Sequence, residues 1–140
     1  MSQQEITSGN AILPAQILII EDDPGVLGAM RRLLKLEGYR VLAAPSVAEA
    51  LNLLRQNGDV RLLITDFHLA GGELGTEAIQ AVRTAAGSPL KAVLITGDTS
   101  CAMRDFLLDD RVWLITKPIN ANDFLALLSE LVAETGQSPR

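Results

Sequence analysis

Four stretches of this 140-residue chain carry side chains that could do chemistry together: the acidic run Glu21-Asp22-Asp23, then Asp66, Thr96 and Lys117. Each follows on a short apolar segment: Ile17-Leu18-Ile19-Ile20, Leu62-Leu63-Ile64-Thr65, Ala92-Val93-Leu94-Ile95 and Val112-Trp113-Leu114-Ile115-Thr116. Carboxylates packed together repel one another, and a hard cation with oxygen ligands relieves the repulsion; magnesium is the natural choice, with manganese able to take its place. A lysine beside them would neutralise part of the charge. Phosphoryl transfer needs an attacking oxygen, a metal to offset phosphoryl charge and fixed donors for the equatorial oxygens. Asp66 is the candidate nucleophile, because it alone among the acids ends a central apolar segment with apolar residues on both sides. Glu21 and Asp22 would hold the metal, Thr96 would donate its hydroxyl, and Lys117 would pair with a phosphoryl oxygen. Taken alone, an acidic triplet is more often a solvated loop or a helix cap, and Asp23 reads as a cap.

The elements that must position these groups alternate. Residues 17–20, 40–44, 62–65, 92–96 and 112–115 read as strands, nearly all continuously apolar, which is the mark of a parallel sheet buried on both faces. Between them lie segments of helical period. The first runs from Pro24, suited to an opening turn, to Glu37, with Val26, Met30, Leu33 and Leu34 on one face and Gly38 ending it. The second opens on the capping box Ser46-Val47-Ala48-Glu49, keeps Val47, Ala50, Leu51 and Leu54 on one face, and stops at Asn57-Gly58. A third covers 76–86 and a fourth 100–108, on Ala102, Met103, Phe106 and Leu107. The fifth follows the N-cap Asn120 and carries Phe124, Leu125, Leu128 and Val132 inward, with Leu127 and Leu131 expected on its outer side. The alternation predicts an open, doubly wound α/β sheet, whose sites lie at strand carboxyl ends, so all the groups above would share one edge. Residues 1–15 and 135–140 read as polar tails around one domain, 16–134.

Composition narrows the function. A formal charge of −5 offers no basic face for a phosphate backbone, which argues against nucleic acid as a partner. No apolar run approaches the roughly 18–20 residues that span a bilayer, and the first 16 residues lack the pattern of a signal peptide, so a cytoplasmic protein without membrane insertion is expected. The lone cysteine, Cys101, reads as a packing residue.

In order and spacing, Ile17-Leu-Ile-Ile-Glu-Asp-Asp-Pro24, Leu63-Ile-Thr-Asp66, Leu94-Ile-Thr-Gly-Asp98 and Thr116-Lys-Pro118 resemble the motifs of response-regulator receiver domains of two-component systems, over roughly residues 16–134. The resemblance implies a flavodoxin-like (βα)5 fold with strand order 2-1-3-4-5. It implies phosphorylation of Asp66 by a histidine kinase or a histidine phosphotransfer protein, and slow loss of the phosphoryl group by hydrolysis: a switch or relay rather than an enzyme. Magnesium would be bound by Glu21, Asp22, Asp66 and the backbone carbonyl of His68, while Thr96 and Lys117 respond to the phosphoryl group. The Lys117–Pro118 bond would be cis.

The chain also departs from that family. Leu114 stands where an aromatic switch residue is usual, with Trp113 beside it on the opposite face. Ala70 replaces a common proline, and the glycine-rich segment from Ala70 to Gly75 looks lengthened and mobile. Asp66-Phe-His-Leu with Thr96-Gly-Asp-Thr resembles receivers attached to hybrid sensor histidine kinases. Two rivals remain: an aspartyl-phosphate-forming phosphohydrolase, which would ordinarily carry a second acid where His68 stands, and a phosphate-silent interaction domain, against which the complete set of acids, threonine and lysine argues. After the fifth helix the sequence holds too few residues for a helix-turn-helix, so the expected output is protein contact or relay, with a homodimer through Leu127 and Leu131 left open.

Overall fold

The computed structural model describes residues 15–97 and 109–136. The expected helix at 100–108, with Cys101, lies outside the described residues, as do 1–14 and 137–140. The order of elements is β1 (Gln16–Ile20), α1 (Pro24–Leu36), β2 (Arg40–Ala44), α2 (Val47–Asn57), β3 (Leu62–Asp66), a 3-10 turn (Ala70–Gly72), α3 (Gly75–Ala86), β4 (Lys91–Thr96), β5 (Val112–Thr116) and α4 (Ala121–Gly136).

All five strands run parallel, in the order β2-β1-β3-β4-β5. This is the 2-1-3-4-5 arrangement expected from the sequence, and β1 and β3, which carry the acids, are central neighbours. The apolar strands alternate their side chains between two cores. Leu18, Ile20, Leu63, Ala92 and Leu94 meet α2 and α3 through Ala50, Leu54, Ala78, Ile79 and Val82. Ile17, Ile19, Leu62, Ile64, Val93 and Ile95 meet α1 and α4 through Met30, Leu34, Phe124, Leu128 and Leu131. Removing one such large side chain from water contributes about 1.5–3 kcal/mol, so two covered faces hold the sheet far more firmly than strand propensity does.

The local signals hold where they are specific. Asp23 caps α1 by accepting hydrogen bonds from the N–H groups of Gly25 (2.8 Å) and Val26 (3.2 Å). Ser46 accepts from Glu49 N–H at 3.2 Å, and Asn120 from Asp123 N–H at 2.9 Å. Gly38 and Gly58, at φ 96° and 59°, turn the chain out of α1 and α2.

Two face assignments change. Val26, in the first turn of α1, is 42% exposed, and in that helix only Met30 and Leu34 are buried. Leu131, expected on the outer side of α4, is buried at 2%, and Leu127 packs partly against the same core. The apolar face of α4 is therefore wider than the four residues read from the period, and it supplies no free leucine strip. Leu114 and Trp113 do point to opposite faces, toward the α2–α3 core and the α1–α4 core respectively.

Candidate functional site

Glu21, Asp22 and Asp66 meet at the carboxyl edge of the sheet because β1 and β3 end side by side: Ile20 pairs in register with Thr65, and the acids follow on each strand. One oxygen from each of the three carboxylates lies within 4.8 Å of the others. Glu21 is 6% and Asp66 8% exposed, while Asp22 is half-buried. Lys117, beyond the end of β5, reaches in from the other side and places Nζ 2.9 Å from Asp66 Oδ1. The contact is an ion pair, and apart from it Asp66 Oδ1 is buried with no hydrogen-bond partner among the described residues.

The electrostatics follow from this crowding. Burial pushes the Glu21 carboxyl above its ordinary range; the N–H of Asp23, 3.0 Å from Glu21 Oε2, pulls it back, the charges of Asp66 and Asp22 push further up, and Lys117 opposes them. The Lys117 ammonium is held above its usual value by its contact with Asp66, against the effect of burial, with Glu21 and Asp22 adding to the rise.

A buried carboxylate answered by one ammonium and grouped with two further carboxylates is a donor set of oxygens alone, with excess negative charge. Such a set fits a hard divalent cation that keeps several of its own waters, and it suits magnesium or manganese better than zinc. Glu21, Asp22 and Asp66 are the side chains that would hold it.

Thr96 is buried at 1% and ends β4, one residue beyond Ile95, the register partner of Asp66. Its carbonyl accepts from Lys117 N–H at 2.9 Å, which fixes the start of the loop carrying the lysine, and the Lys117–Pro118 bond is cis. His68 goes elsewhere. It is exposed, its ring lies edge-on to Phe67 with centroids 4.6 Å apart, and its backbone bridges to Leu74, so the imidazole is no member of the acidic cluster.

The segment after Asp66 is more tightly built than its composition led us to expect. Leu69 N–H donates to Glu73 O at 2.9 Å, Glu77 accepts from Leu74 N–H at 3.0 Å, and Gly75 N–H donates to Phe67 O at 2.6 Å. Gly75 is a residue the sequence reading missed. A Cβ at that position would lie 2.3 Å from the carbonyl oxygen of Asp66, 2.7 Å from Leu94 Cδ1 and 3.0 Å from Phe67 Cα. The signal was present as a glycine at the first position of a helix, where nothing in the local conformation asks for one. Thr65 was missed as well; it is fully buried and donates its hydroxyl to Asp66 O at 3.0 Å.

Comparison with known proteins agrees with this architecture. Residues 17–129 match the response regulator receiver domain family. Among relatives, the transcriptional regulatory protein YvrH of Bacillus subtilis is 31% identical over 127 residues, covering 89% of this chain and 52% of YvrH. A 14.6 kDa protein from the sodA1 3′ region of Leptolyngbya boryana is 31% identical over 120 residues, covering 81% of this chain and 87% of that protein. The chain thus spans about half the length of the first of these relatives. Among solved structures, a CheY-like receiver domain from Methanospirillum hungatei superposes with a TM-score of 0.74 at 30% identity, covering 87% of this chain and 96% of the other. The receiver domain of the hybrid histidine kinase CckA gives 0.70 at 27% identity, with 84% and 99% covered. On a match that spans both acid-bearing strands and the lysine loop, this chain belongs to the response regulator receiver domain family.

Proposed function

We propose that Asp66 accepts a phosphoryl group from a histidine kinase or a histidine phosphotransfer protein and that the chain acts as a phosphorylation-dependent switch or relay. The observation that carries this reading is the Asp66 carboxylate: buried, grouped with two further carboxylates whose ligand atoms lie within 4.8 Å, and paired through Oδ1 with a lysine at 2.9 Å. In the reaction a carboxylate oxygen of Asp66 attacks phosphorus, the bond from phosphorus to the donor imidazole nitrogen breaks with its electron pair on nitrogen, and an acyl phosphate forms. Water later attacks phosphorus, the aspartyl oxygen leaves as carboxylate, and inorganic phosphate departs.

Glu21, Asp22, Asp66 and the carbonyl of His68 would hold a divalent cation, which would supply charge neutralisation for the incoming dianion. The chain's own groups do the rest. Lys117, already against Asp66, shifts its ammonium to a phosphoryl oxygen as the carboxylate charge is spent, and Thr96 donates its hydroxyl to another. Burial of Asp66 shields the nucleophile and confines approach to the open strand-end side. The residue two beyond the nucleophile is an exposed histidine rather than an acid, which favours a long-lived acyl phosphate over a hydrolase. A cytoplasmic setting and an output through protein contact rather than through a duplex suit a chain of charge −5.

Incubation with acetyl phosphate and magnesium should add one phosphoryl group per chain, and excess chelator or Asp22→Ala should suppress it. Equal incorporation with chelator present would refute the metal requirement. Onward transfer is tested with histidine-containing phosphotransfer proteins, where movement of label from this chain supports a relay.

A further inference from the structure

We infer that Gly75 is a positioning residue for Asp66: the backbone of α3 at its first residue is the wall against which the phosphoacceptor's own backbone is set. This inference rests on the proposed phosphorylation of Asp66 and adds a residue to that site.

Strand β3 ends at Asp66, the chain leaves the sheet, and eight residues separate Asp66 from the point where it returns at Gly75. The return is a direct backbone contact. A Cβ on Gly75 would sit 2.3 Å from Asp66 O, a distance that side-chain carbons do not adopt, and a tight 3.0 Å from Phe67 Cα, so the approach exists only because the residue is glycine. Gly75 N–H donates to Phe67 O at 2.6 Å, and Gly75 is itself buried. On the other side, Thr65 donates its hydroxyl to the same Asp66 carbonyl at 3.0 Å, and Phe67 N–H donates to Ile95 O at 2.8 Å. The peptide groups flanking the phosphoacceptor are thereby held by their own strand, by β4 and by Gly75. The loop is closed behind this contact by Leu69 with Glu73 and by Glu77 with Leu74.

The consequence is chemical. The Asp66 carboxylate must face Glu21 and Asp22 while keeping Lys117 in contact, and a grip on its backbone leaves the nucleophile uncovered. Relieving the 2.3 Å contact would displace that backbone by about one ångström and tilt the carboxylate out of line with the acids, and a misplacement of that size can cost on the order of a hundredfold in rate.

A core-packing role for Gly75 would act through Leu94, whose Cδ1 lies 2.7 Å from the added carbon, and the two roles separate in one set of variants. Gly75→Ala should stay cooperatively folded yet take phosphoryl from acetyl phosphate and magnesium at least about tenfold more slowly at saturating donor. Leu94→Ala alone should keep the wild-type rate within about twofold, and the double variant should remain slow, because trimming Leu94 leaves the clash with the Asp66 carbonyl in place. Restoration of the full rate in the double variant, or a wild-type rate in Gly75→Ala, would overturn the inference while leaving phosphorylation of Asp66 standing. Failure of the wild-type chain to label Asp66 would instead remove the reading on which it rests. If Gly75→Ala does not fold, amide exchange at Gly75 in the wild-type protein decides. Occupying the site with beryllofluoride and magnesium should slow that exchange, since a contact that positions Asp66 is tightened when Asp66 is held, and an unchanged rate would overturn the inference.

Discussion

The two ends of the sheet are both polar, and they treat their charges in opposite ways. At the amino edge a set of polar side chains is matched. Arg83 donates through Nε to Leu90 O (2.9 Å), through one terminal nitrogen to Asp109 (2.8 Å) and through the other to Arg111 O (3.2 Å). Asp109 also accepts from Arg111 N–H at 2.8 Å, Gln16 donates to Gly58 O at 2.8 Å, and the buried Lys91 donates to Leu131 O at 3.3 Å with its ammonium 6.0 Å from the Trp113 ring. At the carboxyl edge three acids crowd together, and among the described residues one cation, Lys117, answers them. The pKa directions record the same contrast. Asp109 is held below its ordinary range by its hydrogen bond from Arg83, and Glu21 is pushed above its own by burial. Matched charges at one end tie α3, β4, β5 and α4 together, while the mismatch at the other end is a standing cost that a cation and a phosphoryl group can relieve.

The contrast breaks first at Asp66. Asp66→Asn should abolish incorporation of phosphoryl while leaving the fold cooperative, because it removes the nucleophile and one charge from a repelling set. Arg83→Ala should do the reverse, leaving the acids intact and costing about 2–3 kcal/mol in denaturant unfolding, since three acceptors lose their partner at a half-buried position. A smaller effect is expected from the cation. Magnesium at ten times its dissociation constant should stabilise the wild type by about 1.4 kcal/mol and Asp22→Ala hardly at all, with equal stabilisation of both variants counting against an acid-built site.

The smallest effect sharpens the comparison by its sign. Glu21 has a raised folded-state pKa, so its favourable contribution is complete below its unfolded value of 4.5 and is lost as pH rises through the folded value. Asp109 has a lowered one, so its contribution is present above its unfolded value of 3.8 and is lost as pH falls through the folded value. In cation-free buffer, Glu21→Gln should therefore gain stability relative to wild type as pH rises from 4.5 toward neutrality, whereas Asp109→Asn should be the weaker variant above pH 3.8 and converge with wild type in acid. Parallel stability curves for the two variants would contradict the assignment of opposite roles to the two edges.

The parts of this arrangement that were legible in the sequence are those that local chemistry specifies. Short, continuous apolar runs such as Leu62-Leu63-Ile64, alternating with helical segments, read as strands covered on both faces, and acids or a lysine after such parallel strands gather at one edge. Asp23, Ser46 and Asn120 announce helix starts through side chains that satisfy nearby N–H groups. What was not legible depends on partners distant in sequence. Val26 and Leu131 exchanged their expected exposures because helical period gives an axis of amphipathicity, and only tertiary placement gives the width of the covered face. Arg83 gave no sign of clamping residues 26 and 28 positions away. Gly75 was read as part of a loose glycine-rich stretch, although its lack of a side chain serves close backbone approach rather than freedom.

The central claim is that the mismatched edge is a phosphoryl acceptor, and the most direct test is to trap the product chemically. Brief treatment with acetyl phosphate and magnesium, then borohydride, reduces an aspartyl phosphate to homoserine, and peptide sequencing by mass spectrometry locates it. Homoserine at position 66 and at no other acid is the expected result, absent when magnesium is chelated. Homoserine at Asp22 or Asp23, or the hydroxynorvaline that a glutamyl phosphate would give at Glu21, with Asp66 unmodified, or modification that persists in Asp66→Asn, would contradict it.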